Sequence, residues 1–166
     1  MRISKVEYYL NIARAVAQRS TCLRRQYGAV IVKNDEIIST GYNGSHRGAD
    51  NCCDVGICWR EAHGIPHGEQ YEKCVAVHAE QNAIISASRS DMIGSTLYLA
   101  GFEGDKEIVG EPCLICHKMI VNAGITRVVN LRDLQQEREG ASQKRSETAC
   151  SGCGCGCGEK KEDQKA

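Results

Sequence analysis

The chain has 166 residues, enough for one domain with a real core and short for two. Its 21 Lys and Arg balance 21 Asp and Glu, so it carries no net charge with which to hold a long polyanion, and a nucleic-acid polymer is a poor partner for it. No apolar run approaches the ~18 residues of a membrane span and the N-terminus lacks the layout of a secretory leader, so the chain reads as cytoplasmic. In that compartment its 11 cysteines point to metal or redox chemistry and away from a disulfide framework.

Ile3, Val6, Leu10, Ala13 and Val16, with Ala17, recur at helical spacing and predict an amphipathic helix over 4–19. "GAVIVK" (28–33) and "EIISTGY" (36–42) are β-rich runs separated by "ND", a hairpin signal. Residues 43–77 have no clean periodicity and hold four cysteines and three histidines; they read as a loop with a short helix near "CWREAHG". A loop of that length in a compact domain is functional or pinned by something. A helix over about 78–90, a strand at 95–101, a loop "FEGDKEIVGE", a helix opened by Pro112 and running to about Ala123, and a strand over 124–131 complete the pattern. The order α-β-β-α-β-α-β predicts an α/β sandwich with a mixed sheet, the last two strands being its parallel part. The domain is expected to span 1–134. From Gln135 to Ala166 almost no large apolar residue remains, and a disordered, charged tail with a Cys/Gly tract ("CSGCGCGCG") is expected.

Chemistry concentrates in "VHAEQNAI" (77–84) and "EPCLICHKMI" (111–120). Cys113 and Cys116, three apart on a helix, share one face and reach one ion. A helix start favours the thiolate a metal needs, and His78 sits where a second helix begins. Two thiolates and one imidazole make the three protein ligands of a catalytic zinc, with a fourth position left for water. Because two thiolates cancel the charge of the ion, a nearby base is useful, and Glu80 supplies one. Taken singly, the CxxC also suits a redox pair or half of a structural zinc site; the two motifs together, in this order, favour a catalytic zinc site over both.

A His-x-Glu followed by Pro-Cys-x-x-Cys is the mark of zinc nucleobase deaminases, and "HAE" with "PCLIC" gives the chain that resemblance. With "RSTCLRRQYGAVIV" and "GYNGS", residues 5–131 resemble the cytidine and deoxycytidylate (dCMP) deaminase superfamily, in particular the dCMP deaminases of bacteria and phages. The resemblance implies a three-layer α/β/α sandwich. The implied reaction is hydrolysis of dCMP to dUMP and ammonia, feeding thymidylate synthesis, in a homo-oligomer. It also implies that Asn43 holds the sugar 3′-hydroxyl, although a plain turn role fits "NG" equally. By the same likeness Ala79 offers backbone N–H to the pyrimidine and Asn82 steadies the site. Arg24 and Arg25 are candidates for the phosphate. Neighbours rarely face the same way, so one is expected there, Arg25 ahead of Arg24, with Arg47 a rival. Cys22, Cys52, Cys58 and Cys74 match positions where such enzymes carry a second, structural zinc, with Cys53 or His67 as substitutes; simple burial is the alternative. The chain departs from the family in two places: His46 replaces a usual proline in the glycine-rich loop, and the stretch from Tyr98 to Pro112 is longer than usual. A deaminase of another small nucleotide, or a nucleotide-binding module without catalysis, remains the alternative function.

Overall fold

β1 (Gln26–Lys33) is the spine of the domain. Its alternate side chains divide between two cores: Ala29 and Ile31 enter one, Val30 and Val32 the other. A strand buried on both faces must be covered on both, and this one is. A computed structural model describes residues 2–66 and 68–151, the last nine by backbone alone.

β1 pairs antiparallel with β2 (Glu36–Tyr42) and with β5 (Thr96–Glu103). The β1–β2 turn at Asn34 and Asp35 has positive φ at both residues, the geometry that suits the right-handed twist of a hairpin. On the far edge of β5, β6 (Lys106–Val109) pairs antiparallel with its C-terminal half and β7 (Arg127–Val129) parallel with its N-terminal half. β6 corrects the expectation of a loop at 102–111. Helix α1 (Lys5–Ala17) covers one face through Tyr9, Leu10 and Ala13. α4 (Ala79–Ile85), α5 (Arg89–Met92) and α6 (Leu114–Ala123) cover the other through Ala79, Ala83, Met92, Ile120 and Ala123. The result is the expected α/β/α sandwich with a mixed sheet.

Between β2 and α4 the chain is less irregular than its sequence implies. β3 (Gly44–Ser45) pairs with β4 (Ala76–Val77), closing the long segment at its neck. Inside it lie two single-turn helices, α2 (Cys52–Val55) and α3 (Trp59–Ala62), and a 3-10 turn (Tyr71–Lys73). The chain divides after Leu134, the last core residue. α7 (Leu131–Ser151) nevertheless continues as helical backbone beyond it, where composition predicts no structure. Its side chains over 135–139 are exposed, so the helix rests on strong formers (Gln, Glu, Arg) and not on burial. The Cys/Gly tract lies outside the described residues from 152 on. Among the described residues, no helix is long and apolar enough to cross a membrane.

Two glycines set the helix-to-sheet distance. A Cβ on Gly28 would meet Ala13 O at 2.1 Å, and one on Gly41 would meet Ala83 N at 2.3 Å and Ala79 O at 2.4 Å. At Gly41 the obstacle is the backbone of the helix that begins at the His-x-Glu motif, so no side-chain rotation relieves it. Gly41→Ala is expected to destabilise the domain by about 2 kcal/mol or more, read from the denaturant midpoint. The same variant is expected to hold zinc more weakly than wild type, because α4 must shift to accommodate the methyl.

Candidate active site

His78 is the N-cap of α4, its backbone N–H donating to Gln81 Oε1 at 2.9 Å. Glu80 follows in the first turn. Across the site Cys113 is the N-cap of α6, and its Sγ accepts from Cys116 N at 3.5 Å. Pro112 therefore precedes the cap instead of opening the helix; the acceptor that fixes the first turn is the thiol itself. Caps are held by the fold on one side and by the helix on the other, which orients three donors before any ion arrives.

Those donors converge. Cys113 Sγ and Cys116 Sγ lie 3.5 and 3.3 Å from His78 Nδ1. All three ligand atoms lie within 4.8 Å of one another, and no other His/Cys/Asp/Glu group among the described residues meets that spacing. Ligands at the usual zinc–sulfur and zinc–nitrogen lengths stand about 3.5 Å apart on the edge of a tetrahedron, so the set fits zinc. Its electrostatics fit as well. Cys116 is fully buried, and burial, followed by the charges of Glu80 and Cys113, drives its thiol far above the ordinary range. A thiolate there needs a cation beside it. Burial and the charge of Arg60 hold the His78 imidazole below its usual pKa, in the neutral, ligating form.

Glu80 is 5% exposed. Burial pushes its carboxyl up, against hydrogen bonds from its backbone and from Cys116. The acid is thus poised nearer neutrality than a surface glutamate, the condition for moving protons in both directions. It lies in a cleft of about 790 Å³, counting the space open to solvent, shared with His78, Ala79, Cys113 and Asn43.

The remaining predicted residues divide. Asn43 lines the cleft, but Ser20 Oγ and Tyr27 N both donate to its Oδ1 at 2.7 Å, and its Nδ2 donates to Arg25 O at 2.8 Å. One N–H is left for a ligand. Asn82 does not line the cleft; its amide donates to Tyr42 O at 2.7 Å and ties α4 to β2. Arg24 and Arg25 both reach the cleft wall, Arg25 pairing with Glu103 at 3.0 Å and Arg24 with Glu61 at 3.3 Å. Arg47 is exposed and stands outside the lining. Cys22, Cys58 and Cys74 line the cleft, and the thiol of Cys52 is pushed up by burial first and then by its neighbours Cys22, Cys74 and Cys58. Cys53 instead is exposed against Asp54. His67 lies outside the described residues. Sequence reasoning missed Arg60 and Tyr71, both in the lining: Arg60 is 5% exposed, with its guanidinium carbon 4.4 Å from the Tyr71 ring centroid. The only signal was an arginine in a short helix beside Cys58.

A histidine and glutamate at one helix start, facing two cysteines at another, are the arrangement of the zinc-dependent nucleobase deaminases. The family model for the cytidine and deoxycytidylate deaminase zinc-binding region matches residues 3–132, and the chain belongs to that family. It is 44% identical over 128 residues to the deoxycytidylate deaminase of Mycobacterium phage D29, covering 74% of this chain and 91% of the phage protein. The deoxycytidylate deaminase of Enterobacteria phage T4 is 33% identical over 168 residues, covering 82% of each chain. Among solved structures, the dCMP deaminase of cyanophage S-TIM5 in complex with dCMP and dUMP superimposes with a TM-score of 0.54 at 30% identity, over 77% of this chain and 81% of that one.

Proposed function

We propose that the protein hydrolyses dCMP to dUMP and ammonia, and that its dUMP feeds thymidylate synthesis. The observation that carries this reading is the triangle of His78, Cys113 and Cys116 with buried Glu80 beside Cys116, its His78, Cys113 and Glu80 lining a cleft that arginines also wall. Zinc held by His78 Nδ1 and the two thiolates supplies the Lewis acidity that makes water nucleophilic at neutral pH. Water adds to C4 of the cytosine ring. Glu80 takes a proton from that water and delivers it to N3, then carries the second proton to the exocyclic nitrogen as the C4–N4 bond breaks and ammonia leaves. Ala79, fully buried in the cleft wall, presents backbone to the pyrimidine; Asn43 meets the sugar with its remaining N–H; Arg25 adds positive charge at the phosphate end. Asn82 steadies α4 against β2.

The four cysteines Cys22, Cys52, Cys58 and Cys74 take a second, structural zinc that pins the 43–77 segment to the chain before β1. The backbone bond from Cys53 N to Thr21 O at 3.1 Å already brings those segments together. Exposed apolar side chains on α4 and α6, Ile85, Leu114 and Val121, suit a homo-oligomer.

Purified, zinc-loaded protein is expected to convert dCMP to equal amounts of dUMP and ammonia, followed by ultraviolet absorbance. It is expected to act on deoxycytidine far more slowly. Folded protein with zinc in place and no turnover of dCMP refutes the substrate; faster turnover of dCTP moves the substrate to the triphosphate. Nucleotide binding without ammonia release makes the chain a binding module.

A further inference from the structure

His78 has to present Nδ1 to two thiols, and its backbone does not settle how. The N-cap position fixes its φ at −72° and its ψ at 155°, but rotation of an imidazole about Cβ–Cγ has broad, soft minima. A histidine that ligates a metal ordinarily donates its second ring N–H to a carboxylate or a carbonyl, which locks the ring. Among the described residues no hydrogen bond reaches Nε2 of His78; the ring's partners are Cys113 Sγ and Cys116 Sγ, both at Nδ1. What the ring does meet is Tyr71. The two rings stand at 89° with their centroids 5.1 Å apart, an edge contact.

Tyr71 is itself anchored through both backbone and ring. Its carbonyl accepts from Cys74 N at 3.1 Å, which closes the 3-10 turn just before β4. Arg60 packs on its ring, the guanidinium carbon 4.4 Å from the centroid, and Arg60 is in turn buried and tied through Nη2 to the carbonyls of Pro66 and Glu69. Arg60, Tyr71 and His78 are thus three planar groups in successive contact, running from the middle of the 43–77 segment to the ligand triangle. We propose that Tyr71 is a positioning residue of the active site: its ring sets the orientation of the His78 imidazole, and with it the hold of the triangle on zinc. The proposal rests on the zinc-deaminase reading above and adds Tyr71, which that reading did not contain. Packing here takes the part that an outer hydrogen bond plays at other metal-ligating histidines. A tilted imidazole turns its in-plane lone pair away from the point the two thiolates share, so both zinc affinity and the placing of the reaction beside Glu80 depend on the contact.

Tyr71 also lines the cleft, so loss of activity alone would not identify its role. Two measurements on the full chain separate the possibilities: zinc retained after dialysis against graded chelator, read by mass spectrometry, and steady-state kinetics on dCMP at saturating zinc. Cys116→Ser, with and without the Tyr71 change, supplies the contribution of any ion held elsewhere. Tyr71→Leu is expected to release the triangle's zinc at roughly 10-fold lower chelator and to lose roughly 10-fold in kcat, with KM for dCMP and calorimetric binding of dUMP changed less than about twofold. Tyr71→Phe, which keeps the ring, is expected to recover most of both losses. A raised KM and weakened dUMP binding with zinc retention unchanged make Tyr71 a substrate contact and overturn the proposal. Equal losses in Tyr71→Phe and Tyr71→Leu assign the effect to the hydroxyl and overturn it too, as does a Tyr71→Leu that behaves as wild type. If Tyr71→Leu fails to fold by circular dichroism, Tyr71→Met, unbranched and without a ring, decides by the same criteria. A wild type that holds the triangle's zinc but does not turn over dCMP sinks the substrate reading, and zinc retention in the Tyr71 variants still decides this one.

Discussion

Glu80→Gln is expected to retain its zinc and fold while losing deamination by at least roughly three orders of magnitude. The amide is the same size as the carboxyl and fits the same buried pocket, so the packing of Ala79 and Ala83 against the sheet is untouched. None of the ligands His78, Cys113 and Cys116 changes, so metal content by mass spectrometry should match wild type. What disappears is the only buried carboxylate among the described residues that line the cleft. An amide nitrogen cannot take a proton from water at neutral pH, and its oxygen is far too weak a base to do so. Both proton transfers then fall to solvent water, a far weaker base than the lost carboxylate. dUMP, which needs no proton moved in order to bind, should bind at near wild-type strength. Full zinc with a rate within tenfold of wild type would remove Glu80 from the chemistry and leave the triangle as a structural metal site.

The parts of the fold and site that were legible in the sequence are those where spacing alone constrains position. His78, Glu80, Cys113 and Cys116 sit at helix starts, where caps restrict the backbone, and their convergence follows once the two helices cover one face of the sheet. The β1–β2 hairpin was legible because "ND" lies between two apolar runs. The β5–β6 hairpin uses a comparable two-residue turn, Gly104 at φ 58° with Asp105, joining Glu103 to Lys106. It escaped notice because Lys106–Val109 is short, charged at its start and only half-buried, which gives no alternation to detect. The helix beyond Gln135 was missed for the opposite reason: composition measures burial, and a helix of Gln, Glu and Arg needs none to form locally. Arg60 was invisible because arginine belongs on the surface by default, and only the tertiary wall around Tyr71 encloses it.

Wild-type protein is expected to hold close to two zinc ions per chain, and Cys58→Ser and Cys116→Ser are expected each to lose a different one. In Cys116→Ser the loss falls at the triangle: deamination disappears, and the fold, whose two cores lie on the sheet, survives. In Cys58→Ser the loss falls among Cys52 and Cys74, toward the two ends of the segment that β3 and β4 close, and Cys22, in the chain before β1. A crosslink across a loop of some 30 residues is worth about 3 to 4 kcal/mol by chain entropy; among its described residues that segment holds only two single-turn helices and a 3-10 turn to replace it. Cys58→Ser should therefore unfold at markedly lower denaturant than wild type and be cut by protease first between residues 46 and 75. Because Cys58 is two residues from Arg60, its remaining activity should show a raised KM for dCMP, while Cys116→Ser shows no turnover at any concentration. The two variants thus separate a metal that performs chemistry from one that shapes the wall the nucleotide meets. A single zinc per wild-type chain, abolished by Cys116→Ser and untouched by Cys58→Ser, would leave the four cysteines as ordinary buried thiols. The order of the wall would then rest on the bonds from Arg60 to Pro66 and Glu69 and from Cys53 to Thr21.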